Sequence, residues 1–145
     1  MNPKAPARAW RPDPLTAEQR RLCMSRIRAT DTKPEMIVRR GLHALGLRYR
    51  LHDRRLPGTP DLVFAGQRAL LFVHGCFWHG HDCPLFKLPA SRTDFWEAKI
   101  ARNRSRDAEA IAALNAGGWR SLVVWECAMR GRARLPLDEL LSRCF

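Results

Sequence analysis

Ten consecutive residues, His74-Gly75-Cys76-Phe77-Trp78-His79-Gly80-His81-Asp82-Cys83, hold three of the chain's five histidines and two of its five cysteines. Thiolate and imidazole are the usual ligands of zinc, and imidazole also carries protons near neutral pH. Cys76, His81 and Cys83 form a C-x4-H-x-C cluster, with His79 as a competing ligand. A closed structural zinc site takes four ligands, so one must come from elsewhere. Cys127 is the best candidate, because it directly follows a strand-like run over 119–125 whose end lies beside the cluster if it pairs near the apolar run at 69–73. Cys23, on a predicted helix face, and Cys144, near the chain end, are poorer candidates. The plainer alternative makes the cysteines small core residues and the histidines surface groups. A catalytic zinc keeps a position open for water, whereas a fourth cysteine closes the site, and the structural site is the expectation.

A second constellation offers harder ligands. Pro60-Asp61 begins one strand-like segment, and another ends at Val73-His74. A carboxylate and a second polar group on adjacent strands can hold a divalent cation against a phosphodiester, and Asp61 is an oxygen ligand suited to Mg²⁺. His74 and His79 could activate water or protonate a leaving group. Glu35 and Asp107 are further carboxylates, available to a metal or to orient a histidine. Each piece has a plain reading by itself: Pro-Asp is most often a turn, and a lone histidine is most often a satisfied core residue. The combination at the end of a buried strand is what points to chemistry.

Positioning these residues requires a sheet. The run 69–73, Ala-Leu-Leu-Phe-Val, is apolar throughout, as expected of a central strand buried on both faces. Residues 49–52, 61–64 and 119–125 read as further strands. Thr16 and Gln19 form a candidate capping box that opens a helix over 16–28, and Thr32 with Glu35 forms another ahead of a helix that Gly46 can end. A polar helix is predicted from about 94 to 115, stopping at Gly117-Gly118, and a short final helix over 136–145. The expectation is an α/β fold, a mixed central sheet flanked by helices. A disordered basic arm is predicted at 1–14, where four prolines fall, and a single domain over 15–145.

Composition narrows the partners. The chain has 145 residues, 26 Lys+Arg against 14 Asp+Glu, and a formal charge of +12, a field that favours polyanions. Its alternative is a merely basic globular protein. No apolar run is long enough to span a bilayer, and no hydrophobic segment follows the basic residues at the start. A cytoplasmic setting with reduced cysteines is therefore expected, and five cysteines leave no complete disulfide framework.

The sequence closely resembles the very-short-patch mismatch repair (Vsr) endonucleases. The resemblance is carried by Asp31-Thr32 with Glu35, by Leu56-Pro57-Gly58-Thr59-Pro60-Asp61, and by Phe72-Val73-His74-Gly75-Cys76-Phe77-Trp78-His79 with His81 and Cys83. It continues through Phe86-Lys87, Arg92-Thr93, Phe95-Trp96, Asn103, Arg106-Asp107, Gly118-Trp119-Arg120 and Trp125-Glu126-Cys127, covering roughly residues 22 to 132. It implies a restriction-endonuclease-like fold of the PD-(D/E)xK kind and Mg²⁺-dependent nicking of one DNA strand, 5′ of a thymine mispaired with guanine. Such mispairs arise when 5-methylcytosine deaminates. It implies Asp61 as Mg²⁺ ligand, His74 and His79 assisting, Asp107 nearby, and zinc on Cys76, His81, Cys83 and Cys127. Val73 departs from the pattern, since threonine is common there; if only its backbone carbonyl meets the metal, valine changes little. The lysine of (D/E)xK is replaced by a histidine in Phe72-Val73-His74.

The resemblance further implies that Phe77, Trp78 and Trp96 wedge into the base stack beside the mispair, where unstacking is cheapest. The helix over 16–28 has two readings. It packs on the core as an ordinary amphipathic helix, or it grips DNA from the minor groove with Met24 and Ile27 on one face and Arg26 nearby. The expected partner is double-stranded DNA with a T·G mismatch, met by a monomer in the bacterial nucleoid, with mismatch-repair proteins as further partners. The rivals are a zinc-stabilised DNA-binding module without catalysis and a nuclease of different substrate preference.

Overall fold

Residues 15–26 and 30–129, which the computed structural model describes, fold in the order α1 (Ala17–Ser25), α2 (Lys33–Ala44), β1 (Arg50–Leu51), β2 (Leu62–Phe64), β3 (Ala69–His74), α3 (Thr93–Ala116) and β4 (Arg120–Trp125), then a 3-10 turn at Glu126–Ala128. The four strands lie side by side in sequence order. β1 and β2 are antiparallel to their successors, and β3 and β4 are parallel, so the sheet is mixed as expected. A parallel pair needs a long crossover, and α3 supplies it.

β3 is the spine. Side chains alternate across a strand, so its apolar run serves both faces. Ala69 and Leu71 pack with Val38 and Leu42 of α2, and Leu70 and Phe72 pack with Leu114 of α3. The two helices therefore cover opposite faces of the sheet, which explains why the run has no polar position. The β3–β4 register pairs His74 with Trp125. The segments leaving both strands, Gly75-Cys76 and Glu126-Cys127, consequently emerge side by side at one end of the sheet.

The helix ends follow local chemistry, with two corrections. Thr16 accepts from the Gln19 N–H at 3.2 Å and Gln19 reaches back to the Thr16 N–H at 2.9 Å, completing the capping box. That helix ends at Ser25, short of the predicted residue 28, and none of its residues is buried. At Thr32 only half of the predicted box forms: its hydroxyl accepts from the Glu35 N–H at 3.4 Å, but the Glu35 carboxylate is engaged elsewhere. The predicted strand over 49–52 shrinks to two residues because His52 takes a left-handed φ of +46° and leaves the extended path. The predictions for 1–14, Ile27, 136–145 and Cys144 lie outside the described residues.

Candidate metal centres and active site

Cys76, His81, Cys83 and Cys127 bring one ligand atom each to within 4.8 Å of all the others. The strand register delivers Cys127, and the tight turns after β3 deliver the rest. His81 Nδ1 lies 3.7 Å from Cys76 Sγ and 3.5 Å from Cys127 Sγ. Four ligands placed tetrahedrally at ordinary zinc distances leave S···N separations of about 3.5 Å, so the donor set fits zinc in chemistry and spacing. His79, the competing ligand, points elsewhere. The Cys127 N–H donates to Cys76 Sγ at 3.3 Å, and the Trp125 ring stacks on His81 with centroids 4.0 Å apart. Burial pushes the Cys76 thiol up to about 12 and raises Cys127, a setting in which thiolates need a nearby cation. Cys23 is exposed on α1.

His79 belongs to a second group with His74 and Asp107. Its Nδ1 is bonded to the Asp107 carboxylate from α3, which fixes the ring and leaves Nε2 available. Its face stacks on His74, with centroids 3.8 Å apart and planes 1° from parallel. His74 is buried at the end of β3, and its Nδ1 has no hydrogen-bond partner among the described residues. Burial, followed by the charge of His79, pushes His74 down to about 4.

Asp61 stands just before β2, next to this pair through β3. The Val73 N–H donates to Asp61 Oδ2 at 2.7 Å. Residue 73 thus meets Asp61 through its backbone N–H, a contact that any side chain but proline at this position allows. Burial pushes the Asp61 carboxyl up to about 6, opposed by the Val73 N–H and reinforced by Glu35. Glu35 is buried and orients a histidine, but neither of the two expected. Its Oε1 lies 2.6 Å from His52 Nε2 and its Oε2 accepts from the Asp31 N–H at 3.0 Å.

A cavity of about 710 Å³ opens over Val73, His79 and Asp107, lined also by Thr59, Trp78 and Asn103 among others. Phe77 and Trp78 are partly exposed near its edge, their rings 5.0 Å apart. Trp96, at 7% exposure, is buried behind them, 5.4 Å from Phe77 and 6.0 Å from Trp78. The ring of this cluster that faces outward is Phe95, at 40% exposure, which the sequence reading did not single out. Lys99 was also missed; its Nζ lies 5.2 Å from the Trp78 ring centre and 5.5 Å from that of Trp96. Met24 is half-buried and Arg26 is exposed as the C-cap of α1.

The loop between β3 and α3 has no regular structure of its own, and α3 straps it down. Asn103 Nδ2 donates to the Trp78 carbonyl at 2.9 Å, and Asp107 holds His79. Gly80, at φ +60°, packs so closely that an added Cβ would fall 2.6 Å from Ile100 Cγ2. Gly80→Ala combines left-handed strain with overpacking against buried Ile100 and should cost about 2–4 kcal/mol in urea unfolding. A change within about 0.5 kcal/mol, the usual scatter of harmless surface substitutions, would show that the loop is not seated this tightly.

A family model described as DNA mismatch endonuclease Vsr matches residues 12–85. The chain is similar to the type II nicking enzyme V.XorIIP of Xanthomonas oryzae pv. oryzae, 52% identical over 132 residues, covering 87% of this chain and 97% of that one. It is similar to the DNA mismatch endonuclease Vsr of Escherichia coli, 48% identical over 83% of this chain and 77% of the relative. A third relative, the type II nicking enzyme V.NmeAIP of Neisseria meningitidis, is 41% identical over 83% of this chain and 86% of its own.

Proposed function

This chain belongs to the Vsr family of DNA mismatch endonucleases, and we propose that it nicks one strand of a duplex on the 5′ side of the thymine in a T·G mismatch, starting very-short-patch repair. The chain is a nuclease; the substrate, the metals and the roles of individual residues are this proposal. The observation that carries it is one cavity lined by Val73, His79, Asp107 and Trp78, with Asp61 bonded to the Val73 N–H and His74 stacked on His79. The fold reading is a restriction-endonuclease-like domain over 15–145, acting as a monomer in the bacterial nucleoid.

The carboxylate of Asp61 and the backbone carbonyl of Val73 are the hard oxygens that would hold Mg²⁺. When bound, Mg²⁺ supplies polarisation of the phosphodiester oxygens. The chain's own groups do the rest. The Val73 N–H fixes Asp61, so the carboxylate does not search for its orientation. Asp107 fixes His79, so Nε2 can hold or move a proton at the scissile phosphate. His74 backs that ring. Cys76, His81, Cys83 and Cys127 would hold zinc and so close the loop that carries Phe77, Trp78 and His79; a set of four protein ligands would make that metal structural. Among the described residues no helix is long and apolar enough to cross a membrane, and the net charge of +12 suits a duplex backbone.

The partly exposed Phe77 and Trp78 rings are the wedge, backed by Trp96. α1, with no buried residue, carries Met24 and Arg26 to the DNA rather than to the core. Binding is compared in EDTA on duplexes that differ only in T·G against T·A. The parent should prefer the mispair. Phe77→Ala and Trp78→Ala should each shrink that preference roughly 10-fold, in keeping with about 1–3 kcal/mol per stacked base. An unchanged preference would remove these rings from mismatch reading.

A further inference from the structure

Among the described residues, His52 is the one histidine that two carboxylates approach. Glu35, 2% exposed, places Oε1 2.6 Å from His52 Nε2, and Asp61, 18% exposed, places Oδ1 3.9 Å from the same nitrogen. The other oxygen of each carboxylate is already committed to a backbone N–H, from Asp31 at 3.0 Å and from Val73 at 2.7 Å. The two remaining oxygens thus face one ring. Two carboxylates this deep repel each other unless a donor stands between them.

The backbone is bent to put the ring there. His52 has φ +46°, a conformation that costs of order 1 kcal/mol for a residue with a β-carbon. The kink is held by the His52 N–H, which donates to the Asp61 carbonyl at 3.1 Å. Residue 52 therefore grips residue 61 through its main chain and faces it through its side chain. Arg39 Nη1, 3.6 Å from Glu35 Oε1, also ion-pairs with Asp31, so the far side of the cluster already has its cation. Asp31, Glu35 and His52 lie close enough to hold a metal, but with Arg39 in place and the short Glu35–His52 bond formed, they make a strut.

We infer that His52 is a positioning residue for Asp61: its Nε2, hydrogen-bonded to the buried Glu35 carboxylate, stands between that carboxylate and the Asp61 oxygen that Val73 leaves open. The inference rests on the reading of Asp61 as the cation-binding carboxylate. Loss of a group that orients a metal-binding side chain typically costs 10–100-fold in metal affinity or activity.

The test compares His52→Gln, which keeps an amide donor, with His52→Met, which keeps the bulk and lacks the donor. Both keep the β-carbon, so backbone strain is matched. Nicking of a T·G duplex is titrated with Mg²⁺. In parallel, Mn²⁺ binding to the zinc-loaded proteins is followed by the electron paramagnetic resonance of the free ion, with Asp61→Asn as the blank. The methionine variant should need about 10-fold more metal in both readouts. The glutamine variant should stay within about 2-fold of the parent, and zinc content should be unchanged in both. If the methionine variant does not fold, His52→Asn, at ease in a left-handed backbone but one methylene too short to bring its amide to Glu35, takes the place of the donor-less variant with the same expected loss. Parent-like metal dependence in the donor-less variant, or equal losses in both variants, overturns the inference, as does an absence of Asp61-dependent Mn²⁺ binding. A parent that fails to nick the mispaired duplex would sink the proposed function, while the Mn²⁺ comparison still decides His52.

Discussion

An Asp61→Asn variant should bind a T·G duplex like the parent and nick it roughly 10³-fold more slowly, the equivalent of about 4 kcal/mol of lost transition-state stabilisation. Asparagine is the better probe than alanine. Its side-chain oxygen can still accept the Val73 N–H that Asp61 Oδ2 accepts at 2.7 Å, whereas alanine leaves that donor unpaired at a cost of about 1–3 kcal/mol. Asparagine thus removes the charge and keeps the strand junction. Asp61→Ala should lose nicking equally, with a lower unfolding temperature. Single-turnover nicking and EDTA binding on the same duplex separate the two effects. A variant that nicks within about 10-fold of the parent would take Asp61 out of the reacting centre, because a lost cation ligand is worth several kcal/mol.

Cys76→Ser and Cys127→Ser should each bring down both zinc content and fold. The parent should carry about one zinc ion per chain, as a four-ligand site demands. Zinc bound to a closed cysteine-histidine site contributes on the order of 10 kcal/mol in small peptides, and much of that is folding free energy. Here the consequence reaches the chemistry. The loop that zinc would seat carries Phe77, Trp78 and His79, and Trp125 stacks on His81 while also standing 5.2 Å from His74. Losing the metal should therefore abolish nicking as well as lower the unfolding temperature. Zinc quantified by mass spectrometry alongside thermal unfolding checks this. A serine variant that retains full zinc and the parent's unfolding temperature would show that the fourth ligand is another residue.

The sheet was legible because one physical rule governed it. Five apolar residues in a row fit only a strand covered on both faces, and β3 is covered by α2 and α3. The cysteine-histidine cluster was legible for a related reason. Three ligands are close in sequence, and the parallel pairing of β3 with β4 forces the fourth, Cys127, beside them. His52 was not legible. It lies 17 residues from Glu35 and follows a two-residue strand, and its ring reaches Glu35 only through a left-handed backbone that no periodicity encodes. Glu35 was marked as a carboxylate for a metal or for a histidine, and the histidine that it meets was hidden. Trp96 was grouped with Phe77 and Trp78, but helical geometry buries it and turns its neighbour Phe95 outward. Adjacent aromatic residues on a helix cannot be ranked by exposure until the facing loop is placed.

The central claim is that this fold cuts one strand at a T·G mispair. A duplex labelled separately on each strand, carrying one T·G pair and accompanied by T·A and C·G controls, tests it with Mg²⁺ or EDTA. The account predicts a single Mg²⁺-dependent nick 5′ of the mispaired thymine, with the opposite strand and both controls intact. Equal cutting of all three duplexes, or mispair-specific binding with no cut on either strand, would contradict it.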